Sequence, residues 1–273
     1  MAVVTANKFA PVTMVPPPQL DKDRIATSFI KGRKTYDRHA GVQQKIGLRL
    51  LNILETLPLE KYHKALEIGC CTGGLTEQLL NRVTIDRLYL NDLVPDFYHT
   101  VISRLGNNSP GEIVPCFGDI ESLPLPQPLD LVISSSTFQW LSDLPALLQK
   151  ISGALQPDGV LAFSLFGPGT LTEFTELTDV GLNYQPLDTL RAQLRPHFNI
   201  EIVQNFEDRL IFKTPREVLR HLQATGVCGV GGRSWTPQRL RYFEDQYHER
   251  FGDASGVPLT YVSFCVIASK KGN

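Results

Sequence analysis

Between residues 21 and 57 the apolar positions recur at helical spacing, as in Ile46, Leu50 and Leu54, until Pro58 closes the pattern. One or two helices are therefore predicted ahead of any sheet. Beyond them, short apolar runs of strand length alternate with helical stretches. The runs 64–68, 87–91, 113–117, 129–134 and 159–166 predict strands, and 74–81, 96–105 and 144–154 predict helices, the last ending at the turn Gln156-Pro157-Asp158-Gly159. Runs 199–212 and 259–269 bring the strands to seven. Such alternation is what a parallel sheet with crossover helices requires. The expected fold class is α/β: a three-layer, doubly wound, mostly parallel seven-stranded sheet. Residues 214–256 carry two helical patterns around Gly229-Val230-Gly231-Gly232 and are expected to form a helical cap insertion. Gly226 and these three glycines suit the hinges of a lid and equally an ordinary loop. At the other end, Pro11, Pro16, Pro17 and Pro18 stand among few large apolar side chains. Residues 1–20 thus read as a disordered tail and 21–273 as a single domain.

Composition changes this picture by exclusion. With 42% hydrophobic positions over 273 residues the chain can bury a full core. A formal charge of −1 and a pI near 6.6 lack the basic excess of a protein that grips duplex nucleic acid, so no nucleic-acid partner is expected. Cys70, Cys71, Cys116, Cys228 and Cys265 form an odd set without C-x-x-C spacing, which suits neither a disulfide framework nor a zinc site. A reducing cytoplasm is expected, with no metal. No apolar stretch exceeds strand size and no signal peptide is read, so no membrane partner is expected either. A monomer is favoured.

The candidate chemistry follows the strands, because ligands of open parallel sheets bind beyond the strands' carboxyl ends, where strand order reverses. After the first strand comes Glu67-Ile68-Gly69-Cys70-Cys71-Thr72-Gly73-Gly74, where small residues let the backbone approach a ligand before a helix begins. A nicotinamide fingerprint would need glycine at position 71, and Cys71 breaks it. Glu67 is instead an acid poor for pyrophosphate and suited to a cationic amino acid moiety. Asp92 follows the second strand, 19 residues after Gly73, near the distance at which an acid reaches ribose hydroxyls. Asp119, after the third strand, is placed to accept from an adenine amino group. Three acids in this order favour S-adenosylmethionine over a dinucleotide.

These residues stand within a longer resemblance. Residues 64–166 resemble the class I, Rossmann-like S-adenosylmethionine methyltransferases. From Arg24 to Lys270 the chain more narrowly resembles the malonyl-acyl-carrier-protein O-methyltransferases of biotin synthesis. The narrower likeness rests on Ser28-Phe29 with Tyr36-Asp37, on Gly118-Asp119-Ile120-Glu121-Ser122-Leu123-Pro124, and on Asp130-Leu131-Val132-Ile133-Ser134 leading to Phe138-Gln139-Trp140. It continues in Phe166-Gly167-Pro168-Gly169-Thr170-Leu171 and Leu219-Arg220-His221-Leu222-Gln223-Ala224-Thr225-Gly226, and ends in Pro258-Leu259-Thr260-Tyr261. The resemblance implies that Glu67, Gly69, Gly73, Asp92, Asp119 and Ile120 contact the cofactor, with Cys70, Cys71, Leu93 and Ser135 completing the cradle. It places Tyr36, Gln139, Trp140 and Arg220 near the acceptor. The family loop usually carries glycine where this chain has Cys71.

What the resemblance implies about the reaction is methylation of the free carboxylate of a malonyl thioester on an acyl-carrier protein. Such a carboxylate is ionised at neutral pH and needs no general base. That agrees with a sequence showing no Ser-His-Asp arrangement and no Pro-Pro-Tyr motif of amino-methylating enzymes. Arg220 is the candidate to hold the carboxylate, since a planar guanidinium fixes direction as well as charge. Clusters of Lys and Arg around 22–49 and 209–250 suit the acidic carrier protein, and equally a solvated helical face. Other small-molecule N-, C- or O-methyltransferases, or a non-catalytic binding module on the same fold, remain alternatives.

Overall fold

The computed structural model describes residues 20–106, 111–225 and 235–272. Most of the expected tail and the Gly229–Gly232 loop with Gly226 lie outside them. The strands are β1 (Lys61–Ile68), β2 (Thr84–Asn91), β3 (Glu112–Pro115), β4 (Leu129–Ser135), β5 (Leu155–Phe166), β6 (Phe198–Phe212) and β7 (Val257–Lys270). They form one seven-stranded sheet in the order β3-β2-β1-β4-β5-β7-β6. The first five pair in parallel, and β7 runs antiparallel between β5 and β6.

The strands divide the core by their two-residue period. Ala65, Leu88, Leu90, Leu131, Ile133 and Ala162 face one side, where they meet Ile46 and Leu50 of α3 (Gly41–Leu54), Leu79 of α4 (Gly74–Leu80) and Val101 of α5 (Phe97–Leu105). Leu66, Ile68, Val132, Leu161 and Phe163 face the other side, against Leu147, Leu148 and Ile151 of α6 (Leu144–Ala154) and Leu190 and Leu194 of α8 (Leu187–Leu194). Near-continuous apolar runs in β1, β4 and β5 are what burial on both faces demands. The three-layer α/β class expected from the alternation is therefore the fold observed.

Three details differ from the sequence reading. The N-terminal segment makes three helices, not one or two: α1 (Lys22–Gly32), α2 (Tyr36–His39) and α3, broken around Thr35 and at Ala40. Strands β1 and β2 begin three residues early, because polar Lys61, His63, Thr84 and Asp86 project outward while Tyr62 and Ile85 face in. The Gln156–Gly159 turn is absorbed into β5 as an irregularity, with Asp158 at φ 64° and a register shift against Leu129 and Leu131. Helix α7 (Thr172–Thr178) and α8 carried no sequence signal strong enough to predict. Helices α9 (Pro215–Ala224) and α10 (Pro237–Phe251) occupy the expected insertion between β6 and β7. Among the described residues no helix is long and apolar enough to cross a membrane.

Candidate functional site

The strand order reverses between β1 and β4, whose ends meet in register at Ile68 and Ser134. The loop leaving β1 there is fixed by its neighbour strand. The Gly69 and Cys70 amides both donate to the Asn91 carbonyl, at 2.8 and 2.9 Å, and the Cys71 amide donates to Asp92 Oδ2 at 2.8 Å. The other Asp92 oxygen accepts from the Val94 amide at 2.9 Å. Gly69 has φ 78°, and a β-carbon on it would lie 2.0 Å from Thr137 Oγ1, so the turn admits no side chain there. Cys71 also sits in the left-handed region, at φ 47°, which explains why glycine suits that position better.

Three adjoining cavities open around this loop, and Tyr36 borders all of them. The first lies under α1 and is lined by Gly69, Cys71, Asp92, Leu93, Asp119, Ile120, Ser135 and Trp140. The second lies between α3 and the loop, against Gln43, Gly47, Cys70, Cys71, Thr72 and Ser135. The third is walled by Phe29, Gln43, Ser136, Gln139, Trp140, Tyr184, Thr225 and Tyr261.

The N-terminal helices are latched over these cavities. Asp37 accepts from the Thr72 hydroxyl at 2.6 Å and from Arg104 Nη2 at 2.5 Å, which fastens α2 and its Tyr36 to the loop. Phe29 packs edge-on against Trp140 with ring centroids 5.9 Å apart, and lies 6.2 Å from the Tyr36 ring. Lys22 on α1 donates to both Asp119 oxygens at 2.6 Å and also pairs with Glu121. The sequence reading missed Lys22 and Gln43, since neither belongs to a motif.

Burial sets the electrostatics. It pushes the Asp92 carboxyl up to about 6 against the pull of its backbone donors. It pushes Glu67 up to about 7, with the Asp92 charge adding to the rise. The Glu67 oxygens and the Thr76 hydroxyl are buried together, and the hydroxyl pulls against that rise. Tyr36 is driven well above its ordinary value, first by burial and then by the Cys71 and Asp92 groups beside it.

Of the fourteen expected residues, Gly69, Cys70, Cys71, Asp92, Leu93, Asp119, Ile120 and Ser135 line the first or second cavity, and Tyr36 and Trp140 line the first and the third. Gln139 lines the third cavity alone. The other three do not lie on a cavity wall. Glu67 is wholly buried beneath the loop, so its charge acts from behind the wall. Gly73 caps α4 at φ 82°, where an added β-carbon would press on Val101 at 3.1 Å. Arg220 corrects the expectation most. Val218, His221, Leu222 and Thr225 form the inward face of the α9 segment, which leaves Arg220 exposed on the opposite side.

A methyltransferase-domain family matches residues 66–163. A malonyl-[acyl-carrier protein] O-methyltransferase of Prosthecochloris aestuarii is 38% identical over 89% of this chain and 91% of its own length. One from Haemophilus ducreyi is 35% identical over 93% of this chain and 98% of its own. The chain belongs to the malonyl-acyl-carrier-protein O-methyltransferase family. The family fold extends further: the YcgJ protein from Bacillus subtilis superposes with a TM-score of 0.60 at 13% identity, covering 82% of this chain and 98% of that one. Phosphoethanolamine N-methyltransferase 2 of Haemonchus contortus, solved with S-adenosyl-L-methionine, gives 0.52 at 18% identity over 82% of this chain and 52% of that one. The residues present suit that methyl donor. Buried acids whose ionisation is held back by desolvation gain from a cation brought among them, and the Gly69 turn keeps side chains out of the cradle.

Two outcomes follow. Cys71→Gly should keep the fold and bind S-adenosylmethionine at least as tightly as the parent, whereas Cys71→Val, β-branched at positive φ, should lose about tenfold or more in affinity, roughly 1–2 kcal/mol; calorimetric titration of both variants checks this. Because carboxyls raised to about 6 and about 7 must ionise to meet a cation, affinity should be level only above about pH 8. It should weaken as pH falls through 7 and then 6, by up to about tenfold per unit for each carboxyl, with proton release on binding. Titration between about pH 5 and 9 reads both effects.

Proposed function

We propose that the chain binds S-adenosylmethionine across the first and second cavities and methylates, in the third, the free carboxylate of a malonyl thioester carried by an acyl-carrier protein. One observation carries the reading: Phe29, Tyr36, Ser136 and Trp140 line both the first cavity and the third, so donor and acceptor chambers adjoin and a methyl group need not cross open solvent between them. When bound, S-adenosylmethionine supplies an electrophilic methyl group on a sulfonium.

The chain's own part is to orient and to exclude water. Asp92 and Asp119 bracket the nucleoside side, and Phe29, Trp140 and Tyr36 close the acceptor side with aromatic surface. An ionised carboxylate needs no proton removed, and the nearest buried histidine is unsuited to remove one. His221 is pushed down to about 4 by burial and its Nε2 is engaged with the Tyr261 hydroxyl at 2.8 Å. Desolvation in an aromatic chamber makes the carboxylate a better nucleophile.

The carrier protein is the proposed partner. Lys34, Arg38, Arg239 and Arg241 are exposed and pair with no acid among the described residues, unlike Arg33, which meets Asp96 at 3.7 Å. They supply an electrostatic surface for an acidic partner.

The test offers the purified chain labelled S-adenosylmethionine with malonyl-carrier protein, malonyl-coenzyme A and an unrelated amine. Methyl ester should form on a malonyl thioester and not on the amine, and label on the amine alone would favour another small-molecule methyltransferase. Reversing charge at Lys34, Arg38, Arg239 and Arg241 with glutamate should raise KM for the carrier-bound acceptor about tenfold or more at low salt, with kcat little changed. An unchanged KM would remove that docking surface.

A further inference from the structure

The third cavity presents a chemical puzzle once Arg220 is placed outside it. Its described lining carries no charged side chain, yet the acceptor proposed above is an anion. What the wall does carry is unpartnered polar atoms. Gln43 Oε1, Ser136 Oγ and Gln139 Oε1 are all buried and meet no hydrogen-bond partner among the described residues. They come from three separate elements: α3, the connection after β4, and the 3-10 turn Phe138–Trp140. Buried polar groups are ordinarily satisfied, so three orphans converging on one chamber point to a ligand.

Gln43 stands out among them. Apart from Tyr36, it is the residue that lines both the loop-side cavity and the acceptor cavity. Among the described residues its amide oxygen has no partner, whereas the Gln139 amide is anchored through Nε2 to the Ser136 carbonyl at 2.6 Å. A half-turn about the last torsion therefore presents the Gln43 N–H group to the chamber at little cost. Ser136 sits at φ 53°, a left-handed conformation unfavourable for a side chain, and strain of this kind persists where a side chain must be aimed.

We propose that Gln43 and Ser136 are the residues that hold the acceptor carboxylate, through neutral N–H and O–H donors, with no cation among the described lining residues. This inference rests on the carboxylate-methylating function proposed above. Neutral donors fix the direction of the carboxylate while leaving its charge on the attacking oxygen, where a paired guanidinium would blunt it.

Steady-state kinetics on malonyl-carrier protein, alongside calorimetric binding of S-adenosylmethionine, tests this. Gln43→Leu should raise KM for the acceptor at least tenfold, and Gln43→Glu should raise it further, because like charge repels the carboxylate. Because Gln43 also borders the second cavity, the rise in acceptor KM should exceed any loss of S-adenosylmethionine affinity by at least about threefold. Ser136→Gly, which suits the backbone at positive φ and removes the hydroxymethyl group, should raise KM without loss of stability and serves if either Gln43 variant fails to fold. Acceptor KM and kcat within twofold of the parent in Gln43→Leu and Ser136→Gly would overturn the inference. So would a loss confined to S-adenosylmethionine binding, which would assign Gln43 to the donor side. A parent chain that methylates no malonyl thioester removes the function itself, an outcome distinct from either.

Discussion

The site depends on one short exchange of backbone hydrogen bonds at the end of β1. The Gly69, Cys70 and Cys71 amides turn in succession onto the Asn91 carbonyl and the Asp92 carboxylate. Asn91 in turn reaches across to the Cys116 and Gly118 carbonyls, at 2.7 and 3.1 Å, so the ends of three adjacent strands are stitched into one rim. That rim decides where α4 starts, where Asp92 points and how close α2 can come. The helices α1 and α2 are then guided onto it by polar contacts, Asp37 with Thr72 and Lys22 with Asp119. Packing of Phe29 against Trp140 and burial of Ile25 add an apolar hold to these contacts.

The rim also concentrates negative charge where water is scarce. Glu67 is fully buried and Asp92 nearly so, and burial holds both carboxyls above their ordinary range. Without a ligand, keeping them ionised opposes folding. A cation placed among them removes that penalty, and the free energy recovered appears as affinity. The cost of burying acid is thus part of how a cationic ligand is selected over a neutral or anionic nucleoside.

How much of this was readable from residues follows from where sequence carries physical constraint. Gly69, Asp92 and Asp119 were legible because strand ends are punctuated by residues that apolar strands exclude. The sheet was legible because buried parallel strands are apolar throughout. Arg220 lies on no described cavity wall because a resemblance fixes a position along the chain but not the phase of a helix; Val218, Leu222 and Thr225 turn inward and carry Arg220 outward. Gln43 was invisible for the opposite reason. It stands between Val42 and Ile46 on a helix read for its apolar stripe, and only the third dimension shows that its amide borders two cavities. Glu67 was found for its charge, and the structure moved it from the wall to the layer behind.

A charge asymmetry joins these points. The donor side of the site is acidic and the acceptor side, in its described lining, is neutral. In the proposed reaction a cationic donor and an anionic acceptor become a neutral thioether and a neutral ester. Charge is thus spent as the methyl moves, and a transition state with less charge than its ground state loses least from a dry, low-dielectric chamber. An arginine against the acceptor would reverse that advantage, because its own charge would be left unpaired and buried once the ester formed. Neutral donors leave no such residue. The same loss of charge favours release, since the sulfur left behind is a neutral thioether that no longer pairs with the acids around Asp92.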